Sequence, residues 1–413
     1  MAQPRPELAV DTHSETSHPY WHEIRTLGAH PHRRSCHSAV AYANQMVICG
    51  GQDLREGMVP GVWVFSQVPD RPELDTWQEE EGSEAAPPPL CRHSAVVEGN
   101  RMIVFGGTDN STESANTYVQ DLNSRTWTIK SPDEPGLPPP IDSHSAVVND
   151  HCMVVFAGFV GGSRSNHTFL LDLETMKWSS PAVSGDLPTP RSGHSAVSYQ
   201  GNMIVFGGCG DGGVKFNDLW RLSLSAFTWE RVELAGTVPQ GRAGHSAVVY
   251  RHWMILFGGV KDLTKETNEM YGFDLDGLQW HLLQEERTIE DPVSAVQLEE
   301  YKKGKLAHSR SSHSPASSPL TTGHRSPPIS GKKHDSPISP EELASGKKKK
   351  GHLYDGPTSP VLGRIVGRAP YPRDGHSAVL IGDKMFIFGG DRYQMPFNDL
   401  YVFALNDHSV RPK

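Results

Sequence analysis

Short apolar runs alternate with polar, glycine-rich breaks along most of the chain, and the alternation recurs in a fixed frame. Residues 194–232 show one period. Ser195-Ala-Val-Ser-Tyr199 is a brief apolar run closed by Gln200-Gly201-Asn202, a tight-turn sequence. Met203-Ile204-Val205-Phe206 has no polar break, as a strand buried on both faces requires. Gly207-Gly208 stops it, a pair that accepts positive φ and close backbone approach. After a polar loop, Asn217 to Leu224 alternates apolar and polar positions, and Trp229-Glu-Arg-Val232 follows. The pattern predicts four short strands joined by turns.

The frame repeats. His-Ser-Ala-Val begins at His37, His93, His144, His194, His245 and His376, and thirteen residues after each His stands a small pair. The pairs are Gly50-Gly51, Gly106-Gly107, Ala157-Gly158, Gly207-Gly208, Gly258-Gly259 and Gly389-Gly390. A period near fifty residues marks a stacked or radial architecture. Four antiparallel strands per period make a propeller blade, so the expected fold is an all-β, six-bladed β-propeller. Small Ser-Ala suits an innermost strand, where blades crowd the axis. Trp77, Trp127, Trp178, Trp229 and Trp280 suit the outer strand, where blades splay. The repeated His, Gly and Trp read first as packing positions.

The sixth copy lacks a trailing Trp and runs out after Asn398-Asp-Leu-Tyr401-Val-Phe403. Trp21-His-Glu-Ile24 precedes His37 by sixteen residues, the same interval by which Trp77, Trp178 and Trp229 precede the next His. Trp21 therefore reads as the outer strand of the last blade, and an N-terminal strand is expected to close the ring and cover its edges. Residues 1–18 read as a tail, 19–285 as the closing strand and first five copies, 286–364 as an insertion, and 365–413 as the sixth copy.

Composition changes this picture in the insertion. Residues 301–350 hold eleven Lys/Arg against three Asp/Glu, in a chain whose net charge is −9. The segment is rich in Ser, Pro, His and Lys, and its apolar content is too low to offset ordering entropy, so disorder is expected there. Ser314, Ser318, Ser326, Ser336, Ser339 and Ser359 each precede Pro, a pattern that proline-directed kinases read. The bland alternative is a low-complexity linker. Lys347–Lys350 reads as a solvated charge run or a nuclear import signal. The overall acidity makes no case for nucleic acid. Five cysteines show no paired or zinc-ligand spacing, and no apolar stretch approaches a membrane span. A cytoplasmic, monomeric protein without cofactor or metal is the expectation.

The residues quoted (His-Ser-Ala-Val, the Gly pair, Asn-Asp-Leu-Trp/Tyr, the trailing Trp, and Pro188-Thr-Pro-Arg-Ser-Gly-His194) resemble the kelch repeat. The phrase Pro188 to His194 is similar to repeats of the host cell factor, Rab9 effector and leucine-zipper-like regulator type. The resemblance implies a protein-interaction propeller in adaptor or scaffold work. Its branches include a ubiquitin-ligase substrate receptor and a small-GTPase or trafficking effector. Some kelch propellers are copper radical oxidases, but the Cys–Tyr constellation those enzymes need is not matched here. No nucleophile elbow, P-loop or dinucleotide fingerprint occurs, so no catalytic residue is assigned.

Strand order sends the loop after each Gly pair, and the connection to the next copy, to one face. Arg34, Arg191, Arg242 and Arg373 stand three residues before their His on that face, in copies one, four, five and six. They read either as a basic arc for an acidic or phosphorylated protein segment or as structural groups that bond neighbouring carbonyls. Arg55, Arg164, Lys261, Arg392 and Tyr393 in the loops are further contact candidates.

Overall fold

The computed structural model describes residues 21–26, 28–68, 71–109, 111–130, 137–286, 363–367 and 369–405. The Ser-Pro serines, Lys347–Lys350 and the N-terminal tail lie outside the described residues, as does the insertion apart from Glu286, Gly363 and Arg364. Each copy of the repeat forms an antiparallel sheet. In the fourth copy the order is Ser195–Tyr199, Asn202–Phe206, Leu219–Ser223, Thr228–Val232, each strand hydrogen-bonded to the next. The same order holds for the first copy, with Ser38–Tyr42, Gln45–Cys49, Val62–Ser66 and Thr76–Glu79. These sheets make a β-propeller. The first strands lie side by side around the axis, each touching that of the copy before and after it in sequence, and that of the sixth copy touching that of the first.

Periodicity explains the core. The second strands, such as Met203–Phe206 and Trp253–Phe257, are buried along their length because both faces meet neighbouring sheets. Apolar clusters fill the wedges between sheets. The outer Trp of each sheet reaches across its wedge to the end of the preceding copy's second strand. Trp229 lies 4.5 Å from Phe156, Trp178 4.5 Å from Phe105, and Trp280 4.9 Å from Phe206, ring centre to ring centre. Tilted aromatic pairs at such distances add to area burial. Trp21–Arg25 pairs antiparallel with the last strand, Leu400–Ala404, and Trp21 sits 5.2 Å from Phe257.

Three features depart from the four-strand expectation. Gly363–Val366 adds a further strand outside Trp21–Arg25, so the sixth sheet begins two residues earlier than the composition change indicates. Ser184–Gly185 and Ala235–Gly236 add short parallel strands to the fourth and fifth sheets. There the connecting loop doubles back against the outer strand. Gly185 and Gly236 take positive φ, and a Cβ at either would strike the carbonyl of Trp229 or Trp280. In the third copy Ala157 adopts φ 58, the conformation that glycine holds elsewhere, and Cys152–Val160 pairs with Ser163–Asp172 through a register shift at this point.

Candidate functional site

The candidate site is the mouth formed by the post-glycine loops and the connections between copies. Three hydrogen-bonded rings build it, each from one repeated residue. The histidine of every copy bonds the serine that follows the histidine of the preceding copy: His93 to Ser38, His144 to Ser94, His194 to Ser145, His245 to Ser195, His376 to Ser246, and His37 to Ser377, all at 2.7–2.9 Å. Burial pulls these imidazoles toward the neutral form, with pKa about 4 for His93 and about 3 for His144 and His245. Each ring nitrogen facing a hydroxyl is thus engaged within the framework. The second glycine of each pair donates its N–H to the residue three before the next histidine, as Gly208 does to Arg242 and Gly390 to Arg34, at 2.8 and 2.9 Å. Nearest the opening, the residues just before the histidines bond one another by backbone alone. Cys36 donates to Gly375, Gly375 to Gly244, Gly244 to Gly193, Gly193 to Ser143, Ser143 to Arg92, and Arg92 back to Cys36. All six have φ between 52 and 67, which the three glycines adopt without strain.

The structure corrects the reading of the repeated arginines as a contact arc. Arg34, Arg191, Arg242 and Arg373 are fully buried. Each donates to the first glycine carbonyl of its own pair, at 2.7–3.0 Å. Arg191 also grips Asp218, Arg242 grips Glu269 and Arg373 grips Asp399. Their guanidinium groups face inward because the carbonyl ends of the second strands and the carboxylates of the third strands need donors. Lys261 is corrected likewise: it is buried between Glu269 and Glu286, each 3.1 Å from its Nζ.

The remaining candidates follow the small pairs of copies one, three and six. Arg55 is exposed. Arg164 is partly exposed and bonds Ser192 Oγ at 3.2 Å and Asp211 at 3.1 Å. Arg392 lies over the Tyr393 ring at 4.9 Å, and the Tyr393 N–H donates to Glu266. Sequence reasoning missed Arg92, which stands exposed on the backbone ring. Arg92 lines a cavity of about 370 Å³ with Thr108, Ser111, Asp142, Ser143 and Phe159. The usable signal was variation within the frame: the position before the histidine reads Cys, Arg, Ser, Gly, Gly, Gly through the six copies.

One pair of positions is acidic in a single copy. Asp374 and Asp391 face each other across an isolated bridge where the other copies hold Ser35/Gln52, Cys91/Thr108, Asp142/Phe159, Ser192/Cys209 and Ala243/Val260. Burial, then mutual repulsion, raises Asp374 to about 8, and burial with nearby Glu266 raises Asp391 to about 6. No group of three or more His, Cys, Asp or Glu side chains able to hold a metal occurs among the described residues.

The repeat that builds these rings matches a known domain. The model of the KLHDC2/KLHL20/DRC7 Kelch-repeats domain fits residues 8–136 and 116–303. The chain belongs to the kelch-repeat family. Among similar kelch proteins, human Host cell factor 2 is 31% identical over 265 residues, 58% of this chain and 32% of that protein. The Leucine-zipper-like transcriptional regulator 1 homolog of Drosophila melanogaster is 28% identical over 309 residues, 70% of this chain and 30% of that protein. The Acyl-CoA-binding domain-containing protein 4 of Arabidopsis thaliana is 31% identical over 233 residues, 54% of this chain and 33% of that protein. The kelch chain thus spans about a third of the length of these relatives.

Proposed function

We propose that this kelch chain is a non-catalytic protein-interaction module, an adaptor or scaffold that holds its partner on the mouth. The observation that carries this reading is the division of labour between buried framework and exposed loop tips. Every repeated His and Arg is sequestered, whereas Leu54, Val214 and Leu263 on the post-glycine loops of copies one, four and five are 52%, 56% and 83% exposed. Copy six, which comes between copies five and one, presents Arg392 and Tyr393. Large apolar side chains raised on loops of a rigid scaffold are a common basis of protein contact.

The working form in this proposal is a six-bladed ring closed by the N-terminal strand. Its support is the pairing of Trp21–Arg25 with Leu400–Ala404, and the equivalence of the Trp21–Phe257 contact to Trp280–Phe206. The Ser-Pro serines at 314, 318, 326, 336, 339 and 359 belong to the proposal as phosphoacceptors, and a cytoplasmic location with nuclear entry through Lys347–Lys350 completes it.

The test is site-specific photo-cross-linking in cells. A photoreactive residue at Leu263 should label a discrete partner, and one at Tyr42, in a first-strand end facing the other way, should not. Absence of a discrete partner from Leu263, or equal labelling from Tyr42, overturns the reading.

A further inference from the structure

The arginine cages differ in one copy. In copy four the carboxylate of Asp218 collects three donors: Arg191 Nη1 at 2.7 Å, Arg191 Nη2 at 2.9 Å and Trp220 Nε1 at 2.7 Å. Copies five and six repeat the arrangement with Arg242 and Glu269, and with Arg373 and Asp399. The aromatic residue two places on is Tyr271 or Tyr401 there. Copies two and three drop both partners together. Leu90 and Ile141 replace the arginine, while Asn116 and His167 occupy the acidic position as the strand registers align it.

Copy one breaks this covariation. It keeps the arginine, Arg34, and the aromatic residue, Trp63, but has Gly61 at the acidic position. The equivalence is fixed by the backbone: the first glycine of the pair donates to Asp218, Glu269 and Asp399 in copies four to six, and to Gly61 in copy one. Two buried donors are left without hydrogen-bond partners as a result, Arg34 Nη2 and Trp63 Nε1. They are the counterparts of two of the three donors that converge on Asp218. The other Arg34 nitrogens are engaged with the Gly50 and His32 carbonyls. Burial pulls the Arg34 pKa down to about 10, outweighing the Coulombic pull of Cys49 and Glu79.

No side chain of residue 61 fills the position, and the Glu79 carboxylate lies beside it. Gly61 is exposed and has φ +90, and a Cβ built on it would come within 4 Å of only Glu79 Oε1, at 3.2 Å, and Trp63 Nε1, at 3.9 Å. A carboxylate seated over Gly61 satisfies both orphaned donors with charge-assisted bonds, the strongest kind of hydrogen bond open to them.

We propose that Arg34 Nη2 and Trp63 Nε1 form a carboxylate-binding position over Gly61 on the mouth, filled by an Asp or Glu side chain of a docked partner or by Glu79 of the chain itself. The partner branch rests on the mouth being the contact face; the binding position does not, and a small carboxylate tests it directly. The probe is sodium formate, titrated against sodium chloride at matched ionic strength. The readout is the indole N–H resonance of Trp63 in the full chain, assigned by its loss in Trp63→Phe.

A saturable formate-specific shift in the wild type supports a position open to an external carboxylate. A shift that emerges only in Glu79→Gln supports occupancy by Glu79. No shift in either protein overturns the proposal, whatever the cross-linking shows. Two further variants check the donors. Arg34→Met, in whichever background responds, should abolish the shift. Trp63→Phe keeps an aromatic ring in the core, and it should weaken formate-dependent thermal protection by at least about tenfold, as loss of one bond to a charged group implies. Unchanged protection in Trp63→Phe overturns the role of the indole.

Discussion

Replacing Arg191 by Met removes a guanidinium that makes four bonds: two to the Asp218 carboxylate, one to the Gly207 carbonyl and one to the Thr189 carbonyl. Asp218 would keep only Trp220 Nε1 while its side chain remains 12% exposed. Breaking a buried ion pair by deleting one partner costs about 3–5 kcal/mol, and the slight exposure of Asp218 puts this case near 3. At about 2 °C per kcal/mol, the melting temperature should fall by roughly 6 °C. Arg34→Met provides the contrast. It loses two carbonyl bonds but also releases a buried cation whose Nη2 has no hydrogen-bond partner, so its cost should be about 1 kcal/mol or less. Urea denaturation of both variants at pH 7 and pH 4 is the assay. Burial pushes the Asp218 pKa up, but Arg191 outweighs it and holds the carboxyl below its ordinary value. The pair's stabilisation is therefore present above the unfolded-state pKa and lost only as pH falls through the folded one; in Arg191→Met the burial is no longer opposed, Asp218 takes up a proton more readily, and the deficit should shrink at pH 4. Equal losses for the two variants would refute the cage argument. So would loss of partner labelling by Arg191→Met with stability intact.

Deleting residues 1–26 removes the Trp21 contacts and one edge of the Leu400–Ala404 strand, and scanning calorimetry should show a loss of at least about 3 kcal/mol. The buried histidines have folded pKa values below the ordinary 6.5, so their stabilisation is complete above that value and declines as pH falls toward about 3–4. Each contributes up to about 1.4 kcal/mol per pH unit in that window, and urea midpoints should fall steeply from pH 6.5 to 5. A flat profile there would contradict the His–Ser ring. Asp374→Asn should stabilise the protein at pH 8.5 by up to about 1 kcal/mol, because burial, and then repulsion from Asp391, makes the charged carboxylate costly as pH rises. The gain should shrink as pH falls and vanish below about pH 3.8, where the carboxyl is protonated in the folded and unfolded chain alike.

Strand order and the apolar wedges were legible because they depend on local pattern. Unbroken runs such as Met203–Phe206 can only be strands buried twice, and Trp at a fixed offset marks the splayed edge. The parallel strands at Ser184–Gly185 and Ala235–Gly236 were hidden because two residues carry no periodicity. The site was harder to read for a different reason. An arginine in a loop before a His looks exposed in one dimension, and only the distant acid, Asp218 or Asp399, shows that its charge is spent inside. Counting arginines without pairing them to the third-strand acids concealed both the buried cages and the exception at Gly61. Arg92 escaped notice because it occupies a position where the other copies hold small residues.

The pairing of Trp21–Arg25 with Leu400–Ala404 also has a consequence during synthesis. Trp21–Arg25 is synthesised well before the strand to which it is hydrogen-bonded in the finished sheet. At about 5–20 residues per second, roughly 20–75 seconds separate the two on the ribosome. For that interval Trp21 and Ile24, both buried in the native sheet, lack their native strand partner. The nascent chain carries an apolar, edge-ready strand ahead of it, and that strand is the point at which a chaperone would be needed and at which two chains translated side by side would exchange partners.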